Sequence, residues 1–259
     1  MGLDTKISWT DHTINFWTGC KKVSSGCRFC YMYRDQERYG RDPQEVLRVK
    51  DSTIAKVLRD AKPGDKIFTC SWSDFFIEEA DGWRDRAWFI IKQNPDFIWQ
   101  ILTKRPERIH QCLPDDWGSV GYENVWLGTT IESDNEKFRL IDLHTIKSAR
   151  SKFKTFVSYE PAIGYLDLAN DSVLLQTEFQ HLDWVIVGGE SGNETGKYLY
   201  RECKLEWLEE IVRQCRDNNI PVFVKQLGTH LAKLHRCNDR HGRDISEFPI
   251  SLKFQQFPK

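Results

Sequence analysis

The 259 residues carry 37 lysines and arginines against 38 aspartates and glutamates, and 40% of the chain is hydrophobic. A chain of this length and composition can bury a large core without crosslinks, which excludes a small disulfide scaffold and a disordered chain. The net charge of −1 also argues against a protein that binds its partners mainly through nucleic-acid phosphates.

Residues 1–17, MGLDTKISWTDHTINFW, lack the apolar stretch of a signal peptide, and no run reaches the roughly 20 apolar residues of a membrane span. We therefore expect a cytoplasmic protein with no membrane contact. In that reducing compartment, clustered cysteines indicate metal or redox chemistry more often than disulfides.

Short apolar runs rich in β-branched and aromatic residues alternate with helix-like segments along the chain. Such runs are typical of parallel strands covered on both faces. The pattern predicts an α/β fold, a full or partial (β/α) TIM-type barrel of about 6–8 parallel strands, in one domain spanning 1–259 with 229–259 as a C-terminal flap or extension. In chain order the predicted elements are a strand at 13–20, a strand at 66–76, a helix at 81–94, strands at 97–106 and 124–133, a helix at 135–149, strands at 154–161 and 182–192, a helix at 203–219 and a strand at 220–228.

Each predicted strand ends in polar or glycine residues. In a barrel these ends converge on one face, where active sites lie, so seven separate sequences become one candidate site. About half of these residues are expected only to cap loops. The strand ends are Gly19-Cys20, Ser71 to Asp74, Thr103 to Arg105, Thr130 with Glu132, Ser158 with Glu160, Gly188 to Ser191, and Lys225-Gln226.

Three cysteines, Cys20, Cys27 and Cys30, follow the first predicted strand with spacings of six and two residues. Thiolates suit zinc, copper(I) and iron–sulfur clusters, and a four-iron cluster held by three cysteines leaves one iron open for a ligand. The alternative is a structural zinc site, for which His12 is a candidate fourth ligand, although no second pair of ligands lies nearby. The pattern favours the cluster. Cys112 and Cys215 lie in helix-like sequence and are expected to be small buried hydrophobes.

The segment NFWTGCKKVSSGCRFCYMY resembles the cluster loop of radical S-adenosylmethionine (SAM) enzymes, in which three residues usually separate the first two cysteines rather than six. More broadly, the chain resembles a family of unknown function borne by phages and mobile elements and regarded as radical-SAM-like. This resemblance covers nearly the whole chain and is carried by TGCKKVSSGCRFCY, SWSDFF, ILTKRP, NVWLGTTIES, SYEP, DWVIVGGESG, VKQLG and EFPISLKFQQFP. SWSDFF and the TK of ILTKRP are also weakly similar to spore photoproduct lyase, a radical SAM enzyme.

The resemblance implies that Cys20, Cys27 and Cys30 hold a [4Fe–4S] cluster and that the open iron binds SAM. It implies reductive cleavage of SAM to a 5′-deoxyadenosyl radical, with an electron donor of the flavodoxin or ferredoxin type. Phe29, directly before the last cysteine, is expected to wall the cluster and pack against a flat ring.

The remaining SAM contacts are expected from the strand ends. Ser71, Ser73 and Asp74 are candidates for the methionine ammonium, in the place where radical SAM enzymes usually carry Gly-Gly-Glu. This chain has that triplet at Gly188 to Glu190, in the sixth strand, so the ammonium-binding role is not assigned to Glu190. Candidates for the ribose hydroxyls are Thr130, Glu132 and Glu160, and candidates for the SAM carboxylate or a substrate phosphate are Lys104 and Arg139.

The expected substrate is a nucleic acid or nucleobase, with a small metabolite or a peptide as alternatives. Surplus tryptophans could stack on an extruded base, and phosphates would meet the basic segments 139–154 and 229–249. The simpler interpretations of those segments are a solvated helix face and a polar flap, although a second metal site in 229–249 is an alternative. A different class of function also stays open: a zinc- or Fe–S-stabilised binding module, acting with a second phage-encoded protein and without radical chemistry.

Overall fold

The computed structural model describes residues 5–147, 150–169 and 172–259. The strands are β1 His12–Ile14, β2 Trp17–Thr18, β3 Leu47–Arg48, β4 Lys66–Thr69, β5 Ile98–Thr103, β6 Val125–Thr130, β7 Lys154–Ala162, β8 Trp184–Gly189 and β9 Val222–Gln226. The helices are α1 Tyr31–Arg38, α2 Asp51–Asp60, α3 Asp81–Gln93, α4 Ile109–Cys112, α5 Arg139–His144, α6 Val173–Gln180, α7 Leu205–Asp217 and α8 Gly228–Leu234. Within the described ranges, no helix has the length and apolarity needed to cross a membrane.

The strands β1 and β4 to β9 follow one another in chain order within a mixed α/β fold. Every pairing observed among them is parallel. This is the arrangement of a partial (β/α) barrel, so the predicted fold class is confirmed.

The first predicted strand, 13–20, is much shorter in the structure. The side-chain oxygen of Asn15 accepts a hydrogen bond from the backbone N–H of Trp72 at 2.8 Å, and Trp17–Thr18 pairs antiparallel with β3 instead. The predicted helix at 135–149 is shortened to α5, and its last predicted residues, 148 and 149, lie outside the described residues. Helices α1, α2, α4, α6 and α8 are additional to the predicted elements.

Two compact units divide the chain, and the first comprises the described residues of 1–23, 32–129 and 145–155. In it, β4 pairs with β1 and β5, and β5 pairs with β6. An aromatic cluster fills its core: the ring of Phe75 lies 5.0 Å from Trp88 and 5.3 Å from Trp17. Strand β6 is buried at all six positions, as expected of an apolar run covered on both faces.

The second unit comprises the described residues of 24–31, 130–144 and 156–259. Here β8 pairs with β7 and β9, and the buried Trp184 packs between Phe156 and Phe223. The segment 254–256 runs along β9, where the N–H of Val224 donates to the carbonyl of Phe254 at 2.8 Å. The single domain and the flap at 229–259 stay predictions; residues Gly228–Leu234 of that region form helix α8.

Two glycines let the end of β8 meet the start of α8 backbone to backbone. A Cβ on Gly189 would lie 2.2 Å from the carbonyl oxygen of Leu227, and one on Gly228 would lie 2.5 Å from the carbonyl carbon of Gly189. Gly228 also has a φ of +81°, in the left-handed region. The next residue, Glu190, accepts a hydrogen bond at its backbone carbonyl from Thr229 at 2.9 Å. This close approach fixes the position of the Glu190 backbone, from which its side chain projects.

Candidate site at the cysteine loop

Residues 24–30, here called the Cys27 loop, form a tight turn in the second unit. A 3-10 turn spans Ser25–Cys27, and the N–H of Cys27 donates to the carbonyl of Ser24 at 3.0 Å. The N–H of Cys30 then donates to the carbonyl of Cys27 at 3.4 Å. The backbone therefore turns continuously from the second motif cysteine to the third.

A buried ion pair lies against the start of this loop. Arg139 donates from Nη1 to the Glu132 carboxylate and to the carbonyl of Thr130, both at 2.8 Å. The other Glu132 oxygen accepts the hydroxyl of Ser24 at 2.6 Å. A Cβ on Gly26 would lie 2.3 Å from Glu132, so only glycine fits there without a shift. Both oxygens of Glu132 are thus engaged by the protein itself.

A second ion pair lies against the same loop. Arg201 donates from Nε to the Glu190 carboxylate at 2.8 Å, and its Nη2 contacts the other Glu190 oxygen. Its remaining nitrogen, Nη1, donates to the backbone carbonyl of Ser25 at 2.9 Å. The guanidinium also lies over the Phe29 ring, 5.5 Å from its centre, as does that of Arg28 at 5.0 Å. Cation–π contact therefore holds the ring that was predicted to wall the cluster.

The first motif cysteine, Cys20, belongs to the first unit. Its N–H donates to the carbonyl of Pro43 at 2.9 Å, and its own carbonyl accepts the hydroxyl of Tyr33. Gly19 precedes it with a φ of +88°, and a Cβ there would lie 2.0 Å from the carbonyl oxygen of Glu45. Glycine is required here by both the backbone conformation and the space.

A buried guanidinium lies beside Cys20. Arg105 Nη1 is 4.0 Å from the Cys20 sulfur and 3.2 Å from the Asp74 carboxylate, and Nη2 donates to the carbonyl of Lys21 at 2.9 Å. Burial alone would lower the pKa of Arg105, but Asp74 and the Cys20 sulfur outweigh it and raise that pKa. The site therefore has a permanent positive charge next to one motif sulfur.

Asp74 serves mainly to hold this part of the chain together. Its carboxylate accepts the hydroxyl of Thr103 at 2.7 Å, the N–H of Lys104 at 2.8 Å and the N–H of Phe76 at 2.9 Å, besides its ion pair with Arg105. A carboxylate offers about four acceptor positions, so these four donors nearly saturate it. The ammonium-binding role predicted for Asp74 stays untested, and the contacts favour a positioning role.

The other residues predicted to contact SAM also have hydrogen-bond partners within the protein. The hydroxyl of Ser73 donates to the carbonyl of Gly19, and the hydroxyl of Ser71 lies 3.3 Å from the Asn15 amide nitrogen. In the second unit, Glu160 accepts a hydrogen bond from Lys225 at 2.7 Å. Thr130 is buried and contributes its carbonyl to Arg139. The residues fall into two groups: Cys20, Ser71, Ser73, Asp74 and Lys104 belong to the first unit, and Cys27, Phe29, Cys30, Thr130, Glu132 and Glu160 to the second.

All eight cysteines lie in the described residues and are thiols rather than halves of a disulfide. Those outside the motif ionise less readily than an ordinary thiol. Burial raises the pKa of Cys70 and Cys203 to about 12, and burial likewise raises the pKa of Cys112, Cys215 and Cys237. Cys112 and Cys215 are buried, as predicted. A raised pKa keeps a thiol protonated at neutral pH, whereas metals bind the thiolate.

The three motif cysteines fit a four-iron cluster in donor chemistry, since thiolates are its usual ligands. The two glycines, Gly19 and Gly26, allow the close packing described above. Among residues 5–147, 150–169 and 172–259, no group of three or more His, Cys, Asp or Glu side chains is gathered so as to hold a single metal ion. This finding covers the three motif cysteines as well, so the described residues show neither a zinc site nor a cluster site.

His12 and the histidines of segment 229–249, the residues of the two alternative metal sites, contact other groups. His12 Nε2 lies 2.8 Å from Asp65. In the tail, His230 Nδ1 lies 2.9 Å from the carbonyl of Cys203, and His241 Nδ1 lies 2.8 Å from the hydroxyl of Thr229. These contacts fit structural roles.

The described residues define an α/β protein with a three-cysteine motif and a braced Cys27 loop. The chain belongs to the family described as protein of unknown function (DUF5131), whose model matches residues 4–250. A family of unknown function is thus confirmed, while its phage setting and radical SAM character stay predictions. No curated protein matches the chain. Among solved structures, a mutant of spore photoproduct lyase with bound AdoMet and dinucleoside spore photoproduct is similar, with a TM-score of 0.46 and 13% identity over 83% of this chain and 74% of that one.

Sequence reasoning missed the residues that hold the loop. The sequence alone indicates no role for Arg201, Ser24 or Glu190, and it suggests a ligand carboxylate or phosphate as the partner of Arg139. The structure shows Arg139 buried and paired with Glu132. The contact between Ser24 and Glu132 joins residues 108 positions apart, and the Glu132–Arg139 and Glu190–Arg201 pairs, 7 and 11 positions apart, follow no motif spacing. The short Gly-Gly-Glu triplet was the one available signal.

Proposed function

We propose that this protein is a radical SAM enzyme in which Cys20, Cys27 and Cys30 hold a [4Fe–4S] cluster. The supporting observation is the three-cysteine motif, whose second and third cysteines lie on a turn fixed by side chains from elsewhere in the second unit. The five remaining cysteines have raised pKa values. When bound, the cluster supplies the electron for reductive cleavage of SAM.

The surrounding residues would bind and orient SAM. We assign Ser71 and Ser73 to the methionine ammonium and Lys104 to its carboxylate. Thr130 and Glu160 remain candidates for the ribose, and Phe29 provides an aromatic surface beside the cluster. Two of the predicted contacts have a different role in this proposal: Glu132 and Asp74 position backbone and arginine side chains, because their carboxylates are already engaged.

The proposed substrate is a nucleic acid or nucleobase, and the proposed partners are a flavodoxin- or ferredoxin-type reductant and a second phage-encoded protein. The eight thiols fit a reducing cytoplasm. Few tryptophans are accessible for stacking on a base, because seven of the ten are buried. The three that keep partial exposure are Trp72, Trp83 and Trp207.

Metal analysis and SAM cleavage test this proposal together. The protein purified and reconstituted without oxygen should contain about four irons and four sulfides, show a reducible cluster by electron paramagnetic resonance, and release 5′-deoxyadenosine from SAM. Cys27→Ala should lose both cluster and cleavage, whereas Cys237→Ala, at a half-buried thiol outside the motif, should keep them. One equivalent of zinc without iron would instead support the binding module.

A further inference from the structure

The Cys27 loop is held by two ion pairs that approach it from different parts of the sequence. Glu132 and Arg139 reach it through the hydroxyl of Ser24. Glu190 and Arg201 reach it through the carbonyl of Ser25. All these contacts lie within the second unit.

Three of the four charged side chains are almost completely buried: Glu132 is 0% exposed, Arg139 4% and Glu190 5%. Removing ionised groups from water is costly, and their mutual attraction offsets that cost only when further hydrogen bonds satisfy them. Here these further hydrogen bonds include the Ser24 hydroxyl, the Ser25 carbonyl and the Thr130 carbonyl. Moving the loop would therefore leave two buried ion pairs incompletely satisfied.

The backbone of the loop is also packed tightly. Gly26 is buried, and the space where a Cβ would lie is filled by the Glu132 side chain. Further along the loop, the Phe29 ring contacts the guanidiniums of Arg28 and Arg201. Contacts of three kinds, ionic, steric and aromatic, thus define a single position for the turn that carries Cys27 and Cys30.

We infer that the Glu132–Arg139 and Glu190–Arg201 pairs are positioning residues that fix the Cys27 loop before any metal binds, so that Cys27 and Cys30 are pre-organised as ligands. The ligand role rests on the proposed function, but the fixed loop does not. A pre-organised site pays less ordering entropy when it binds its ligand.

Hydrogen exchange of the metal-free, full-length protein tests the inference. In the wild type, amides of 24–31 should exchange slowly. Ser24→Ala removes the hydrogen bond to Glu132, and Arg201→Lys keeps the charge but cannot bridge Glu190 and the Ser25 carbonyl. Each should speed exchange of 24–31 roughly tenfold, because a hydrogen bond to a charged group is lost. Arg213→Lys is the matched control, since Arg213 makes exposed ion pairs with Glu210 and Asp217 on α7.

Iron uptake and thermal melting separate a positioning role from general destabilisation. Ser24→Ala and Arg201→Lys should bind iron several-fold more slowly while their melting temperatures stay within about 2–3 °C of that of the control variant. Wild-type amides of 24–31 that exchange as fast as an unstructured peptide would overturn the inference, as would variants that exchange like Arg213→Lys. A protected, variant-sensitive loop in a wild-type protein that takes up no iron would refute the proposed function while supporting the fixed loop.

Discussion

Replacing Glu132 by Gln would leave the Arg139 guanidinium buried without its carboxylate. Arg139 is only 4% exposed and its Nη1 lies 2.8 Å from Glu132, so water cannot readily replace the lost partner. Removing one member of a buried ion pair typically costs about 3–5 kcal/mol of unfolding free energy. That is a large part of the roughly 5–15 kcal/mol that stabilises an ordinary domain.

The double variant Glu132→Gln/Arg139→Met removes both charges and should recover most of the loss, to within about 1–2 kcal/mol of the wild type, because a buried pair is often replaceable by uncharged groups. Urea unfolding of the metal-free protein, followed by both tryptophan fluorescence and circular dichroism, measures the four members of this cycle. The reasoning is refuted if Glu132→Gln costs less than about 1 kcal/mol, or if the double variant is as unstable as the single one.

Three further predictions concern other parts of the molecule. Arg105→Gln removes a positive charge beside the first motif sulfur and should make the midpoint potential of the proposed cluster roughly 100 mV more negative, at an effective dielectric constant of about 20. A redox titration followed by electron paramagnetic resonance measures the potential, and a shift no larger than that of the surface control Arg86→Gln would contradict the prediction. Gly19→Ala should at least halve the iron content after reconstitution, because the new Cβ meets the backbone of Glu45. Gly40→Ala, also at positive φ but with open space around it, should keep its iron. Equal losses of iron in the two variants would contradict the steric explanation and point to backbone strain alone. Burial, with help from neighbouring carboxylates, raises the pKa of the Cys203 thiol from 9.0 to about 12. The folded protein therefore holds this proton between pH 9 and 12 while the unfolded chain loses it, so the stability that the protonated thiol contributes is complete below pH 9 and is lost as the pH rises to 12. Cys203→Ala should reduce the fall in unfolding free energy over that window by about 1.4 kcal/mol per pH unit, and an unchanged pH dependence in urea unfolding would refute this.

The sequence predicts the strand series well because burial on both faces leaves long β-branched runs, such as those that become β8 and β9. Helices α3 and α7 are also predicted closely, since each has a clear stop signal or an amphipathic pattern. The first two strands are exceptions. The predicted strand at 66–76 ends at Thr69 as β4. In the first strand the apolar residues continue to Trp17, but the Asn15 side chain accepts a hydrogen bond from the backbone of Trp72 and β1 ends at Ile14.

The sequence predicts which residue types make up the site, but it does not predict the contacts among them. A carboxylate after a strand looks the same whether it binds a ribose or an arginine. Glu132 and Glu190 are distinguished from ligand-binding acids only by Arg139 and Arg201, which lie on other segments and reach them after folding. The motif cysteines, by contrast, depend on short-range spacing, which sequence displays directly.

The contact between Gly189 and Gly228 has an evolutionary consequence. A Cβ on Gly189 would meet the carbonyl of Leu227, and a Cβ on Gly228 would meet the backbone of Gly189, so neither position can accept alanine unless the two backbone segments separate first. Among relatives of this chain, we therefore expect glycine to be kept or lost at both positions together, which makes the pair a marker for recognising distant members of the family.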